Sequence, residues 1–466
     1  MHLSLTRRRP RARGRAAAAA VLGAALTAGL LPGPAAHARA PQDPAPTVRG
    51  PLPGAAPGDP SSPDIARTHP WMATDVDLEA RGYVEEEFIV SGAADAYSAT
   101  GERLAADVPY TTRVIVRRPA RPSGFGGTVV AEWQNVSAGY DLDALWSTDQ
   151  ITGAGQAWAG ISAQRVGVEH LREWSPARYG DLDVTGGGRF TRDELSYDIY
   201  AQVASTLRRR GPGAPLGGLR ARALIGAGAS QSAGRMTVYH DAVLPQTAKV
   251  FDGYAFAVGS APARRGTEPV FHILSETDVR SPERMPDTPV YRRWEVAGSA
   301  HSGWHGQAYR SSILARDLGE APSYDCERPP FSRVPLHHVI AAAYAHLGRW
   351  IEDGTAPPSA PPLEFAPDGT LARDERGMAE GGVRLSQVEA PTALNTGQNT
   401  GETFCVLFGT HVPFGGAELA ARYGTDARYT AAVLRSDARN LLAGHILPAD
   451  AWANALAALD VDIPRS

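Results

Sequence analysis

Lysine is almost missing from this chain. Among 46 Lys and Arg residues Lys249 is the single lysine, and every other base is arginine. No Gly-Lys-Ser/Thr motif can therefore be written, which excludes phosphoryl transfer through a P-loop. No Ser-x-x-Lys pair exists either, and only one residue could form a Schiff base. Cysteine is nearly as scarce, with Cys326 and Cys405 alone. Neither has the neighbouring cysteines or histidines of a zinc cluster. In an exported chain such a pair most simply forms one disulfide closing a long loop; two buried free thiols are the alternative. An excess of positive charge is lacking too. The formal net charge is −4, and more negative still without the arginines near the N-terminus. That balance argues against nucleic acid or an anionic membrane surface as a partner.

What is present is the composition of a folded soluble protein, 43% hydrophobic and 21% charged over 466 residues. That length suits one large α/β domain or two ordinary ones. Residues 1–38 read as a secretory signal. Arg7, Arg8, Arg9, Arg11, Arg13 and Arg15 form its basic end, Ala16 to Leu31 its apolar run, and Ala36-His37-Ala38 a small-x-small cleavage site. Thr6-Arg7-Arg8-Arg9 hints at a twin-arginine route, although Pro10 stands where a hydrophobic residue is preferred. The apolar run is short of the roughly 20 residues a membrane span needs, so no span is expected after cleavage. A secreted protein is expected. Residues 39–65, rich in Pro, Ala, Gly and Ser, read as a disordered leader.

From Pro70-Trp71 onward strands alternate with helices, the pattern of a doubly wound, mostly parallel sheet. Expected strands lie over 82–91, 113–118, 127–133, 157–162, 221–229, 250–256, 269–274 and 293–298. After residue 305 the pattern changes. A helix over 335–353 ending at Gly354, an irregular Pro/Gly-rich stretch with a short strand at 404–408, and two closing helices near 417–423 and 430–443 are expected. Residues 66–310 thus read as a catalytic core and 311–466 as an extension integral to the same domain.

The most informative segment is Ala221 to Arg235, a buried strand running into Gly228-Ala229-Ser230-Gln231-Ser232 and then a helix. A sharp strand-to-helix turn of this kind raises one serine above the C-terminal edge of a sheet, and small flanking residues let the two backbones approach. Ser230 is the expected nucleophile, with Ser232 standing where the G-x-S-x-G pattern has its last glycine. Such a serine needs a base and an acid, which follow in the order Ser, Asp/Glu, His after later strands. Ser275-Glu276-Thr277-Asp278 ends one strand and Ser299-Ala300-His301 follows the next. His301 would move the proton, and Asp278 would hold its tautomer, with Glu276 as the alternative acid. For the oxyanion, one donor would be the amide of Gln231. The other would come from the loop after the 127–133 strand, at Asn135 or Val136.

With these residues in view the chain resembles a family of exported bacterial α/β hydrolase domain proteins. The likeness rests on Asn135-Val136-Ser137-Ala138-Gly139-Tyr140-Asp141, on Gly228 to Ala233, on Glu276-Thr277-Asp278, and on Trp294 through His301. It continues through Cys326, His338, Gly354 to Pro358 and Phe404 to Gly409, and so covers nearly the whole mature chain. The elbow departs from the family pattern at Ala229, where glutamate is usual. The resemblance implies an α/β-hydrolase fold with an added C-terminal region and says little about substrate.

His305, His337 and His338 compete with His301 for the base role. With Asp278 or Asp141 they could also be imagined around a metal, although no His-x-x-x-His on a clear helix with a third ligand is visible. Tyr140, Trp146, Trp174 and Trp304 could line an apolar pocket or simply pack. The expectation is a cofactor-free, metal-free serine hydrolase acting on a small-molecule carboxylic ester through an acyl-enzyme. An amidase, lactonase or acyltransferase on the same triad, or a binding protein on a hydrolase fold, are the alternatives. The sequence leaves the oligomeric state open.

Overall fold

Uninterrupted apolar runs decide this architecture. In a computed structural model describing residues 45–53, 69–211 and 213–464, the segments Thr128–Trp133 (β4), Ala157–Ile161 (β5), Ala223–Ala229 (β6) and Gly253–Ala257 (β7) are buried at every position. Val270–Ser275 (β8) is buried throughout as well, and Tyr291–Val296 (β9) nearly so. Strands covered on both faces are those of a parallel sheet. Thr47–Arg49 (β1), Tyr83–Tyr97 (β2) and Arg103–Pro119 (β3) precede them. The nine strands form one sheet in the order β1-β2-β3-β5-β4-β6-β7-β8-β9. The β1–β2, β2–β3 and β3–β5 pairs are antiparallel, and β5, β4, β6, β7, β8 and β9 run parallel. This is the doubly wound, mostly parallel sheet expected from the sequence.

Helices cover both faces. They are α1 (Thr148–Gly153), α2 (Arg165–Trp174), α3 (Pro176–Tyr179), α4 (Ser196–Thr206), α5 (Gln231–Val238) and α6 (Trp304–Leu318). Then follow α7 (Leu336–Asp353), α8 (Ser386–Glu389), α9 (Gly416–Tyr423), α10 (Asp426–Ala443) and α11 (Pro448–Leu459). The period-2 alternation of β4 divides the core. Val129, Ala131 and Trp133 join the cluster that includes Tyr200 of α4 and Met236 of α5, whereas Val130 joins Val339 and Leu347 of α7. Strand order reverses where β4 lies between β5 and β6, and the C-terminal edge there is where ligands bind in open α/β sheets.

The extension completes the sheet rather than forming a separate body. Val383 bridges Val296 in parallel, with Val383 N–H donating to Glu295 O at 2.7 Å and Ala297 N–H to Val383 O at 3.0 Å. This covers the β9 edge that would otherwise offer unpaired backbone groups. A two-stranded ribbon of Ala393–Thr396 (β10) and Thr410–Pro413 (β11) lies beyond.

Several elements depart from the sequence reading. The leader expected to be disordered over 39–65 contains β1, which pairs Thr47–Arg49 with Ile89–Ser91. β2 has an unpaired edge there, and even a short segment gains a ladder by filling it. The strand expected at 404–408 is a 3-10 turn at Cys405–Leu407, bent around the Cys326–Cys405 disulfide. α6 and α11 were not anticipated. The expected signal segment, 1–38, lies outside the described residues.

Candidate active site

Ser230 is the residue between β6 and α5, and its backbone sits at φ 57°, ψ −118°. A non-glycine residue held there stores about 1–3 kcal/mol, so surrounding contacts must impose it. Ser230 N–H donates to Ala257 O at 3.0 Å, and Gly234 N–H donates to Ser230 O at 3.1 Å. The buried Ser232 hydroxyl accepts from Ala229 N–H at 3.0 Å and donates to Ala229 O at 2.9 Å. That pair of hydrogen bonds across the turn is what Ser232 contributes in place of a glycine. Two true glycines supply the room. A Cβ at Gly228 would lie 3.0 Å from the Ser232 carbonyl, and one at Gly259 would lie 2.8 Å from Ser230 O. Gly259 follows β7, and its carbonyl is held by His272 Nε2 at 2.8 Å. His272 is pushed down to about 4 by burial, and is therefore neutral.

Asp278 and His301 meet. Asp278 ends the 3-10 turn after β8, His301 follows β9, and His301 Nδ1 lies 2.8 Å from Asp278 Oδ1. The other Asp278 oxygen accepts from Ser275 Oγ at 2.5 Å. His301 N–H donates to Thr277 Oγ1 at 3.1 Å, and Thr277 in turn donates to Gly397 O at 2.6 Å. Glu276, the alternative acid, points elsewhere. It is buried, accepts from Gly298 N–H at 2.7 Å and Gly397 N–H at 3.0 Å, and pairs with Arg373 at 2.8 Å. The three residues of the Glu-Thr-Asp motif thus divide the labour of fixing the histidine loop. Ser230 and His301 line one cavity. Among the described residues the Ser230 hydroxyl makes no hydrogen bond, so it is not yet joined to the imidazole; such contacts commonly tighten only with substrate bound.

On the other side of the serine, Gln231 opens α5, where the first amides of a helix have no partner in its own ladder. Its side chain is held by Gln164, with Gln231 Nε2 donating to Gln164 Oε1 at 2.6 Å. Of the two candidates on the 134–139 loop, Asn135 lines the cavity and Val136 does not. The Asn135 side chain donates to Ala229 O at 3.0 Å and accepts from Ser137 N–H at 2.8 Å, which locks the loop to the elbow. Asp141 pins the far end of that loop, where its Oδ2 accepts from Ser162 Oγ at 2.5 Å and its carbonyl accepts from Trp71 Nε1 at 2.9 Å. Burial pushes the Asp141 carboxyl up to about 6.

A family model for the alpha/beta hydrolase domain matches residues 48–455. The chain belongs to the alpha/beta hydrolase domain family. No curated protein matches it in sequence. Solved structures with partial likeness to this alpha/beta hydrolase include esterase Est22, at 10% identity and TM-score 0.26, covering 42% of this chain and 64% of that one. A prolyl endopeptidase aligns at 13% identity and TM-score 0.25, over 53% of this chain and 40% of that one. The Geobacillus stearothermophilus carboxylesterase EST55 aligns at 14% identity and TM-score 0.22, over 32% of this chain and 30% of that one. Each match spans less than two thirds of the solved chain, and the assignment rests on the family match.

In this alpha/beta hydrolase the cavity over Ser230 measures about 520 Å³, within the range of small-molecule sites. Its wall is largely apolar, with Leu142, Leu145, Trp146, Ile340, Phe404 and Phe408. Tyr140 and Trp146 line it as the sequence allowed, whereas Trp174 packs in the core against Trp71 and Trp304 lies outside at 41% exposure. His305 and His337 also line the cavity, with rings 4.4 Å apart. Burial drives His337 well below the ordinary imidazole range, and His338 down to about 3. Among the described residues neither His305 nor His337 has a carboxylate partner, and His338 stands 3.7 Å from Asp450, away from the cavity. Among the described histidines, His301 alone combines a carboxylate at hydrogen-bond distance with a place on the wall that also holds Ser230. Among the described residues no group of three or more His, Cys, Asp or Glu is placed to hold a metal ion. Cys326 and Cys405 form a disulfide, with Cα atoms 5.5 Å apart.

Residues that sequence reasoning missed are Ser232 as the staple of the turn, Gln164 as the partner of Gln231, and Thr277 beneath the histidine. The Glu-Thr-Asp spelling carried the signal for Thr277. Nothing local announced Gln164, which meets Gln231 because β5 and β6 flank β4 and end on the same side.

Proposed function

We propose that this protein is an exported serine hydrolase that cleaves carboxylic esters through an acyl-enzyme. One observation carries the reading: a histidine held by a carboxylate at 2.8 Å lines the same cavity as a serine forced to positive φ on a strand-to-helix turn. Asp278 accepts from Nδ1–H of His301 and leaves Nε2 as the base. His301 removes the Ser230 proton as Oγ attacks the ester carbonyl. The resulting oxyanion is met by the Gln231 amide and by a second N–H from the loop at Asn135. Collapse expels the alcohol, which takes the proton from His301. Water, activated by the same imidazole, then cleaves the acyl-serine.

Export is supported by the arginine-rich and apolar N-terminal segment and its Ala36-His37-Ala38 site. A closed disulfide suits an oxidising compartment. No described helix is long and apolar enough to cross a membrane.

A fluorophosphonate probe and a panel of 4-nitrophenyl esters test the chemistry. Labelling and turnover are expected in the mature protein, and both should fall by roughly 10⁴-fold or more in Ser230→Ala and His301→Ala, with thermal unfolding unchanged. Labelling that persists in Ser230→Ala would remove the serine from its role.

A further inference from the structure

The charge inside the cavity is not balanced. Arg81 and Asp149 line it together and neutralise one another at 2.6 Å. Arg310, on α6, also lines it and has neither an ion pair nor a hydrogen bond among the described residues. The remaining ionisable groups on the wall do not compensate it. His337 is held neutral by burial, and the phenols of Tyr140 and Tyr324 are raised above their ordinary value. Tyr140, on the loop after β4, and Tyr324, just before Cys326, line the same cavity as Arg310.

Its position is also built. One turn earlier α6 carries Gly306, and a Cβ there would lie 3.1 Å from Arg310 Nη2 and 3.4 Å from Nη1. Glycine within a helix costs about 1 kcal/mol against alanine. Here it leaves a bed along which the guanidinium folds toward the start of the helix. Gly303 and His301, which precede that start, line the same cavity. Arg310 is half-buried and lines the same cavity as Ser230 and His301.

We propose that Arg310 is a specificity-determining residue that recognises a carboxylate on the substrate, so that the enzyme's preferred esters carry one negative charge beside an apolar body. An arginine fork matches a carboxylate in planar geometry, and a cation in a low-dielectric cleft concentrates anions. The proposal rests on the serine-hydrolase reading, and its test separates the two. Ser230→Ala protein is titrated calorimetrically with two matched pairs of intact esters. Mono-4-nitrophenyl glutarate is set against 4-nitrophenyl pentanoate, and 4-acetoxybenzoate against 4-methylphenyl acetate.

The anionic member of at least one pair should bind about tenfold tighter or better, as expected for a charged hydrogen-bonded pair. That ratio should fall toward one in Ser230→Ala/Arg310→Gln and with rising salt, and Ser230→Ala/Arg310→Lys should keep part of it. Equal affinities within both pairs, or a preference that survives Arg310→Gln in a protein of unchanged unfolding temperature, overturns the proposal. Fluorophosphonate labelling of the unmutated protein reports separately on Ser230. Its failure beside an Arg310-dependent preference would sink the esterase and leave the carboxylate site standing.

Discussion

Glu276 and Asp278 are two positions apart and do opposite work. Asp278 faces the imidazole and Glu276 faces backbone amides, so their substitutions should separate catalysis from stability. Asp278→Asn is expected to lower kcat by roughly 10³–10⁴-fold while the unfolding temperature stays within a degree or so. Glu276→Gln removes the charge that two amides and Arg373 share. It should destabilise the protein by about 1–3 kcal/mol and leave kcat of the folded enzyme within a few-fold. Steady-state kinetics with thermal melts on both variants check this, and the reverse pattern would exchange the two roles. The order of Ser230, Asp278 and His301 along the chain was enough to propose the three, and the fold brings Asp278 to His301 and sets Ser230 and His301 around one cavity. The sequence favoured Asp278 but left Glu276 as the alternative, because both sit on one 3-10 turn. What separates them is Gly298 and Gly397, 22 and 121 residues away from Glu276.

β6 and β7 are coupled through a close approach that the turn requires. Gly259→Ala would place a methyl carbon 2.8 Å from Ser230 O and 2.9 Å from Ala233 Cβ. The elbow must then shift, at a cost of about 1–3 kcal/mol, and fluorophosphonate labelling should slow more than tenfold. Unchanged labelling with an unchanged melt would show that the elbow tolerates the insertion. The strands that set this geometry were legible because a parallel strand buried on both faces reads as a continuous apolar run. α6 was not, since only Ile313, Leu314 and Asp317 are buried over its 15 residues and leave no clear stripe. α11 was missed for a related reason: Trp452, Leu456 and Leu459 point outward, so its apolar residues do not mark a buried face. The run at 404–408 looks like a strand in isolation. A covalent tie to Cys326 bends it instead.

The sheet as a whole encloses ionisable groups whose titration is coupled to folding. Glu132, on the α7 face of β4, is pushed up to about 8, first by burial and then by nearby Asp143, against hydrogen bonds from Trp158 and Leu145. A carboxyl raised on folding keeps its proton in the native state after the unfolded chain has lost it. Its stabilising contribution is whole below the unfolded value of 4.5 and is lost as the pH rises through about 8. The stability of Glu132→Gln relative to the unmutated protein should therefore increase across that window, by up to about 1.4 kcal/mol per pH unit. Chemical denaturation at several pH values measures it, and a difference that stays flat would mean Glu132 is ionised in the fold.

Cys326 and Cys405 lie in a part of the molecule where Tyr324, Phe404 and Phe408 form the cavity wall. A single sulfur–sulfur link therefore ties together two segments that carry the same panel of the cavity wall. Material made in a thiol-rich cytosol would carry that panel unlatched. Selectivity assays run on such a preparation would describe a looser wall than the oxidised protein presents.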